Sequence, residues 1–182
     1  TSLIQESAFQ VVSIATTTGF LTANYSNWPL FVPILLLLTA FIGACAGSTG
    51  GGIKVVRTLV LAKQSAGEIT KLIHPNAVIS IKLGKKAVSP RVAESVWGFF
   101  SIYVIVFIIL FMFLLAQGND FITSFSAVGA TLNNLGPGLG EVSNNYQSLS
   151  DYSKLGLCMA MLLGRLEIFT LLVLFTPAFW RK

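Results

Sequence analysis

Two short stretches of this chain have the residue types to strip and hold a cation. They are Thr16-Thr17-Thr18-Gly19-Phe20 and Asn133-Asn134-Leu135-Gly136-Pro137. Each follows a short, mostly apolar, uncharged run and precedes a long hydrophobic segment. Short helix, glycine-bearing turn, membrane helix is the layout of an ion-pore loop. Successive backbone carbonyls of such a turn can face one axis and replace the water around a dehydrated ion. Glycine suits the turn because it reaches positive φ without steric cost. One copy could be chance. Two copies in equivalent places indicate a repeat around a pore.

A third stretch, Gly47-Ser48-Thr49-Gly50-Gly51-Gly52, holds four glycines in six residues at the end of an apolar run. Each glycine lowers helix stability by about 1 kcal/mol relative to alanine. The stretch therefore breaks a helix and leaves backbone groups that need water or protein partners at membrane depth. A plug inside a wet pore meets both needs. A phosphate-binding loop of the form G-x-x-x-x-G-K-[ST] does not fit, because position 53 is Ile and Lys54 comes one residue late. Arg165 lies within the last apolar run, where a charge is costly unless it meets water or a partner, and it is expected to face the permeation path. Glu167 is expected on the opposite helix face, paired with another helix.

These turns need membrane helices to hold them. Mean hydropathy is +0.77, and charged residues are 10% of the chain against about a quarter in soluble domains. The apolar runs lack the alternation of a membrane β-barrel, so the expected class is all-α membrane protein. Ser95–Gly118 is an uncharged run of 24 residues, enough to span a bilayer core. Trp28–Gly52 and Leu155–Trp180 are two further candidate spans. Ser7–Ala15 and Phe121–Leu132 are too short to span and are expected as re-entrant pore helices. Tyr25 and Trp28 are expected as interface aromatics. The chain starts at Thr and is expected to be part of a longer protein.

Eight of the twelve basic residues lie between Lys54 and Arg91, beside one acid, Glu68. Residues 117–151 hold three acids and no base. The positive-inside rule places 54–91 in the cytoplasm and 117–151 outside. Nucleic-acid binding is not expected, because the basic stretch is tethered between membrane helices and lacks interleaved aromatics. Cys45 and Cys158 are expected as buried, inert thiols without disulfide or metal spacing. His74 is expected at a loop or helix end. No residue set supports catalysis. The expected division is 1–63 as a pore unit lacking its first helix, 64–92 as a cytoplasmic connection, and 93–182 as a complete unit of helix, pore loop and helix.

Together, Thr16–Phe20, Ala46–Lys54, Asn133–Gly138 and Gly164-Arg165-Leu166-Glu167-Ile168-Phe169-Thr170 resemble the Trk/Ktr/HKT superfamily of potassium transporters. The resemblance is nearest to its bacterial TrkH-type membrane subunits and runs over essentially the whole chain. It implies four pore-loop units around one path, of which this chain holds the third, from its pore helix onward, and the whole fourth. Thr17, Thr18, Gly19, Asn134, Leu135 and Gly136 would then bind potassium in the filter. Gly47, Ser48, Thr49, Gly50, Gly51 and Gly52 would form an intramembrane gating loop, with Arg165 facing it. No cofactor is implied beyond potassium as substrate. The resemblance also implies a bacterial inner-membrane location, a homodimer, and a cytosolic ring of nucleotide-binding regulatory subunits of the TrkA type. It is compatible with passive flux and with proton symport. The alternatives are a pore for another monovalent cation such as sodium, or a non-conducting anchor whose glycines pack helices.

Overall fold

The computed structural model describes residues 2–22, 25–29, 31–43, 45, 47–48, 50–77, 79–84, 86–166 and 168–180. Helix α1 (Ser2–Ala15) leads into the first turn. It starts five residues before the expected pore helix and takes in Glu6. Helix α2 (Phe31–Ile42) follows. Then come the glycine-rich stretch and α3 (Val55–Ile73). Helix α3 runs through position 63, and His74 caps its end, its N–H donating to Thr70 O. A two-stranded antiparallel hairpin, β1 (Lys82–Leu83) with β2 (Lys86–Ala87), leads to α4 (Pro90–Ala116). Proline at the first position of α4 fits because that N–H has no helical partner.

Helix α4 has 27 residues, about 40 Å at 1.5 Å per residue. Among the described residues it is the one helix long and apolar enough to cross a membrane unaided. Helix α5 (Phe121–Leu132) has the bounds expected from its sequence. Asp120 starts it by accepting from the Ile122 N–H at 3.2 Å, satisfying one of the helix's unpaired donors. Ser150 does the same for α6 (Asp151–Arg165) through Ser153 N.

The last span is interrupted rather than continuous. Helix α6 ends at Arg165 with Leu166 as its cap, and α7 (Ile168–Phe175) and α8 (Pro177–Trp180) follow. The readings made for Glu167, and those for Thr49, Ala46 and Lys85, fall outside the described residues.

Helix α5 is the centre of the molecule. Every residue from Thr123 to Leu132 except Phe125 is buried. Leu36, Leu37 and Ala40 of α2 pack on one side of it with Ala130. Leu114 of α4 and Leu157 of α6 pack on another with Ala127 and Val128. Phe41, Phe107, Phe111, Phe121 and Phe125 form a chain of ring contacts with centroids 5.3–6.5 Å apart. The surroundings of α5 hold its far end, and hence the second turn, in one place.

Two further expectations change. Cys45 and Cys158 are exposed, not buried. Tyr25 is not an interface residue: it is 1% exposed, and its hydroxyl donates to Gly138 O at 2.8 Å. Its distance in sequence from Gly138 hides this contact from any local pattern.

Candidate ion-pore site

The two turns have the same backbone. After α1, the N–H of Thr17 donates to Ile14 O at 3.0 Å and that of Thr18 to Ser13 O at 2.8 Å. After α5, the N–H of Asn134 donates to Thr131 O at 3.0 Å and that of Leu135 to Ala130 O at 2.8 Å. Every donor and acceptor in the second pair lies 117 positions after its counterpart in the first. This is the Schellman closure of a helix end, which needs a left-handed residue at its pivot. Thr17 has φ 55° and Asn134 φ 53°. Gly19 and Gly136 follow, with φ 82° and 103°. Asparagine tolerates the left-handed region. A β-branched threonine does so at a cost, which marks this turn as strained.

The turns lie against each other. A Cβ on Gly19 would collide with the Leu135 carbonyl oxygen and stand 3.2 Å from Pro137 Cδ. Glycine is needed at position 19 for φ and for this close approach alike. Gly136 needs it for φ alone, since nothing lies within 4 Å of a Cβ there. The Gly136 carbonyl also accepts from the Tyr146 hydroxyl, and its second lone pair is left for another donor or an ion. The carboxyl end of α5 points a partial negative charge at its turn, which favours a cation there.

Ser48, Gly50 and Gly52 of the glycine-rich stretch line one cavity of about 140 Å³ with Arg165. Lys54, Arg57, Tyr103, Leu132 and Gly164 complete most of its wall. Gly47 is exposed at the start of the stretch, and Gly51 is buried. A Cβ on Gly51 would collide with the Asn133 carbonyl oxygen, so the stretch touches the residue that opens the second turn. A Cβ on Gly164 would collide with Leu132 O and come within 2.8 Å of Asn134 Nδ2. Gly164 thereby lets the end of α6 approach the end of α5 and delivers Arg165 to the cavity. Arg165 ends a helix, where the carbonyl-rich terminus favours a positive charge.

Sequence reasoning missed two other basic residues of this wall. Lys54 Nζ donates to Ser48 O at 3.3 Å, and the Arg57 guanidinium sits 4.3 Å above the Phe99 ring. Lys54 also has φ 74°, a strained value for lysine at the exit of the glycine-rich stretch. The basic run from Lys54 reads as an orientation signal, and nothing local in it tells which of its members line this cavity. Three basic side chains thus line this cavity, and the adjacent carboxyl end of α5 favours a cation.

Comparison with known proteins shows the family and the fold. The TrkH family model, described as cation transport protein, matches residues 2–182. The chain is 58% identical over 179 residues to the Trk system potassium uptake protein TrkH of Escherichia coli K12, covering 98% of this chain and 37% of that protein. It is 44% identical over 176 residues to the Trk system potassium uptake protein TrkG of the same organism, covering 97% of this chain and 36% of that protein. The crystal structure of the potassium transporter TrkH from Vibrio parahaemolyticus superposes with a TM-score of 0.89 at 56% identity, covering 97% of this chain and 38% of that one. The chain thus spans little more than a third of the length of these relatives. The all-α membrane fold of helix–pore loop–helix repeats expected from the sequence is the fold found. With identity above one half on a backbone of the same shape, this chain belongs to the TrkH family of cation transport proteins.

Proposed function

We propose that this chain forms two quarters of a potassium-uptake pore in the bacterial inner membrane. The observation that carries the reading is the pair of turns with one backbone, 117 positions apart, packed side by side. Residues 1–63 act as the third pore unit without its first helix, 64–92 as the cytoplasmic connection and 93–182 as the whole fourth unit. Thr17, Thr18, Gly19, Asn134, Leu135 and Gly136 line the filter, and potassium exchanges its hydration shell for their carbonyls. The stretch 47–52, with Arg165, obstructs the path beneath. The working protein is a homodimer regulated by a cytosolic nucleotide-binding subunit of the TrkA type. Support for that partner is the Trk-system name borne by the relatives.

The test is tracer potassium or rubidium uptake into liposomes holding the full-length protein, with sodium as competitor. Uptake that sodium does not compete away supports the reading. Equal sodium uptake favours the general monovalent-cation pore. Flux no greater than in empty liposomes returns the glycines to a packing role.

Topology can be checked separately. Lys71 is exposed on α3, paired with Glu68 at 2.8 Å. With Cys45 and Cys158 replaced by serine, a Lys71→Cys variant should react with a membrane-impermeant thiol reagent in inside-out vesicles and stay unlabelled in intact cells. Labelling in intact cells would reverse the orientation.

A further inference from the structure

The chain has four tyrosines, and three of them end on the second turn. The Tyr103 hydroxyl, on α4, donates to Asn133 Oδ1 at 2.7 Å. The Tyr146 hydroxyl, from the loop before α6, donates to Gly136 O. The Tyr25 hydroxyl, from the segment after the first turn, donates to Gly138 O at 2.8 Å. Tyr25 and Tyr103 are 1% and 4% exposed, so neither hydroxyl can readily exchange its partner for water. Asn133, which receives Tyr103, is fully buried. The three contacts hold the turn at its start, its glycine and its exit, from three different parts of the chain.

The first turn is held differently. Among the described residues its hydroxyl contacts are local: Ser13 Oγ donates to Phe20 O at 2.7 Å, Thr16 Oγ1 to Val12 O at 2.7 Å, and Thr16 Oγ1 pairs with Thr18 Oγ1 at 2.8 Å. The two turns share a backbone but not a means of support. A local clasp travels with its own helix. A set of distant phenols fixes a turn relative to the rest of the protein.

We propose that Tyr25, Tyr103 and Tyr146 are positioning residues for ion selection, which set the carbonyl geometry of the Asn134–Gly136 turn. The proposal rests on the reading of that turn as part of the filter. A cation of potassium size is distinguished from a smaller one by how firmly its carbonyl ligands keep their places and how many reach it. Each phenol acts through a carbonyl or an amide and touches no ion itself. Removing a hydroxyl while keeping the ring leaves the packing in place and frees one point of the turn.

The test is Tyr25→Phe, Tyr103→Phe and Tyr146→Phe in the full-length protein. Potassium-to-sodium uptake ratio, membrane abundance and thermal stability are measured together, with Gly19→Ser in parallel. The expected result is a ratio lowered roughly two- to tenfold in each variant, the range of one net hydrogen bond, with abundance unchanged. A merely structural role would lower abundance or stability and leave the ratio alone. Should Tyr103→Phe fail to insert, Tyr146→Phe, in the half-buried outer loop, still decides the matter. A shift confined to one variant assigns the role to that hydroxyl and removes it from the other two. If Gly19→Ser changes the ratio and no phenylalanine variant does, the brace is wrong and the filter stands. If no variant changes it, Gly19→Ser included, the filter reading falls and the brace with it.

Discussion

Deleting Gly50-Gly51-Gly52 from the full-length protein will raise potassium flux, and Arg165→Ala will raise it less. The stretch forms one wall of the cavity beside the end of α5, and Arg165 forms part of the wall beside it. Shortening the stretch removes matter from the path. Removing the arginine takes away a repulsive charge. Arg165 ends α6 at a cavity large enough for water, and in the water-like limit the Coulomb term at 4 Å is about 1 kcal/mol. The corresponding increase is about fivefold. Activation by a cytosolic partner should matter less in both variants, because the barrier it relieves is already lowered. Rubidium uptake into liposomes, with and without the partner, is the measurement. Variants that insert normally and conduct no more than the parent would remove the stretch and the arginine from the gate.

Gly19→Ser will reduce potassium-over-sodium selectivity more than Gly136→Ser. Both glycines have positive φ, so any side chain costs roughly 1–3 kcal/mol of backbone strain. At position 19 there is a second effect, since the new Cβ collides with the Leu135 carbonyl of the neighbouring turn. That carbonyl belongs to the proposed filter, so the substitution displaces a ligand of one unit from the backbone of the other. At Gly136 the space is open and strain acts alone. Ion-competition uptake, normalised to membrane abundance, separates the two. Equal loss in both variants would show that strain dominates and that the contact between turns is unimportant. No loss in either would end the filter assignment.

Local signals in the sequence were enough for much of this. Phe121–Leu132 is flanked by Asp120 and by a turn, so its limits were legible. The turns themselves were legible because glycine recurs at the same place in each. The break after Arg165 was not. Gly164 is a weak local signal, and the close approach of α5 that it permits is a contact formed only in the folded chain. The tyrosines were hidden for the same reason. Tyr25 bonds a residue 113 positions away, and Tyr103 one 30 positions away. Aromatic residues near apolar runs read by default as membrane-interface anchors, whereas here buried carbonyl and amide acceptors, costly to leave unpaired, draw them inward.

The two turns share a backbone but are written separately in one chain. In a channel assembled from identical subunits, any change to the filter is made at every quarter at once. If the two turns are quarters of one filter, as proposed, a change here can be made at a single quarter while its neighbour keeps its original residues. Thr17 and Asn134 hold the same left-handed pivot with unlike side chains, as that freedom allows. Preference among ions can therefore drift in small steps, and a library confined to residues 133–138 should yield graded selectivities where a symmetric pore would yield mostly loss.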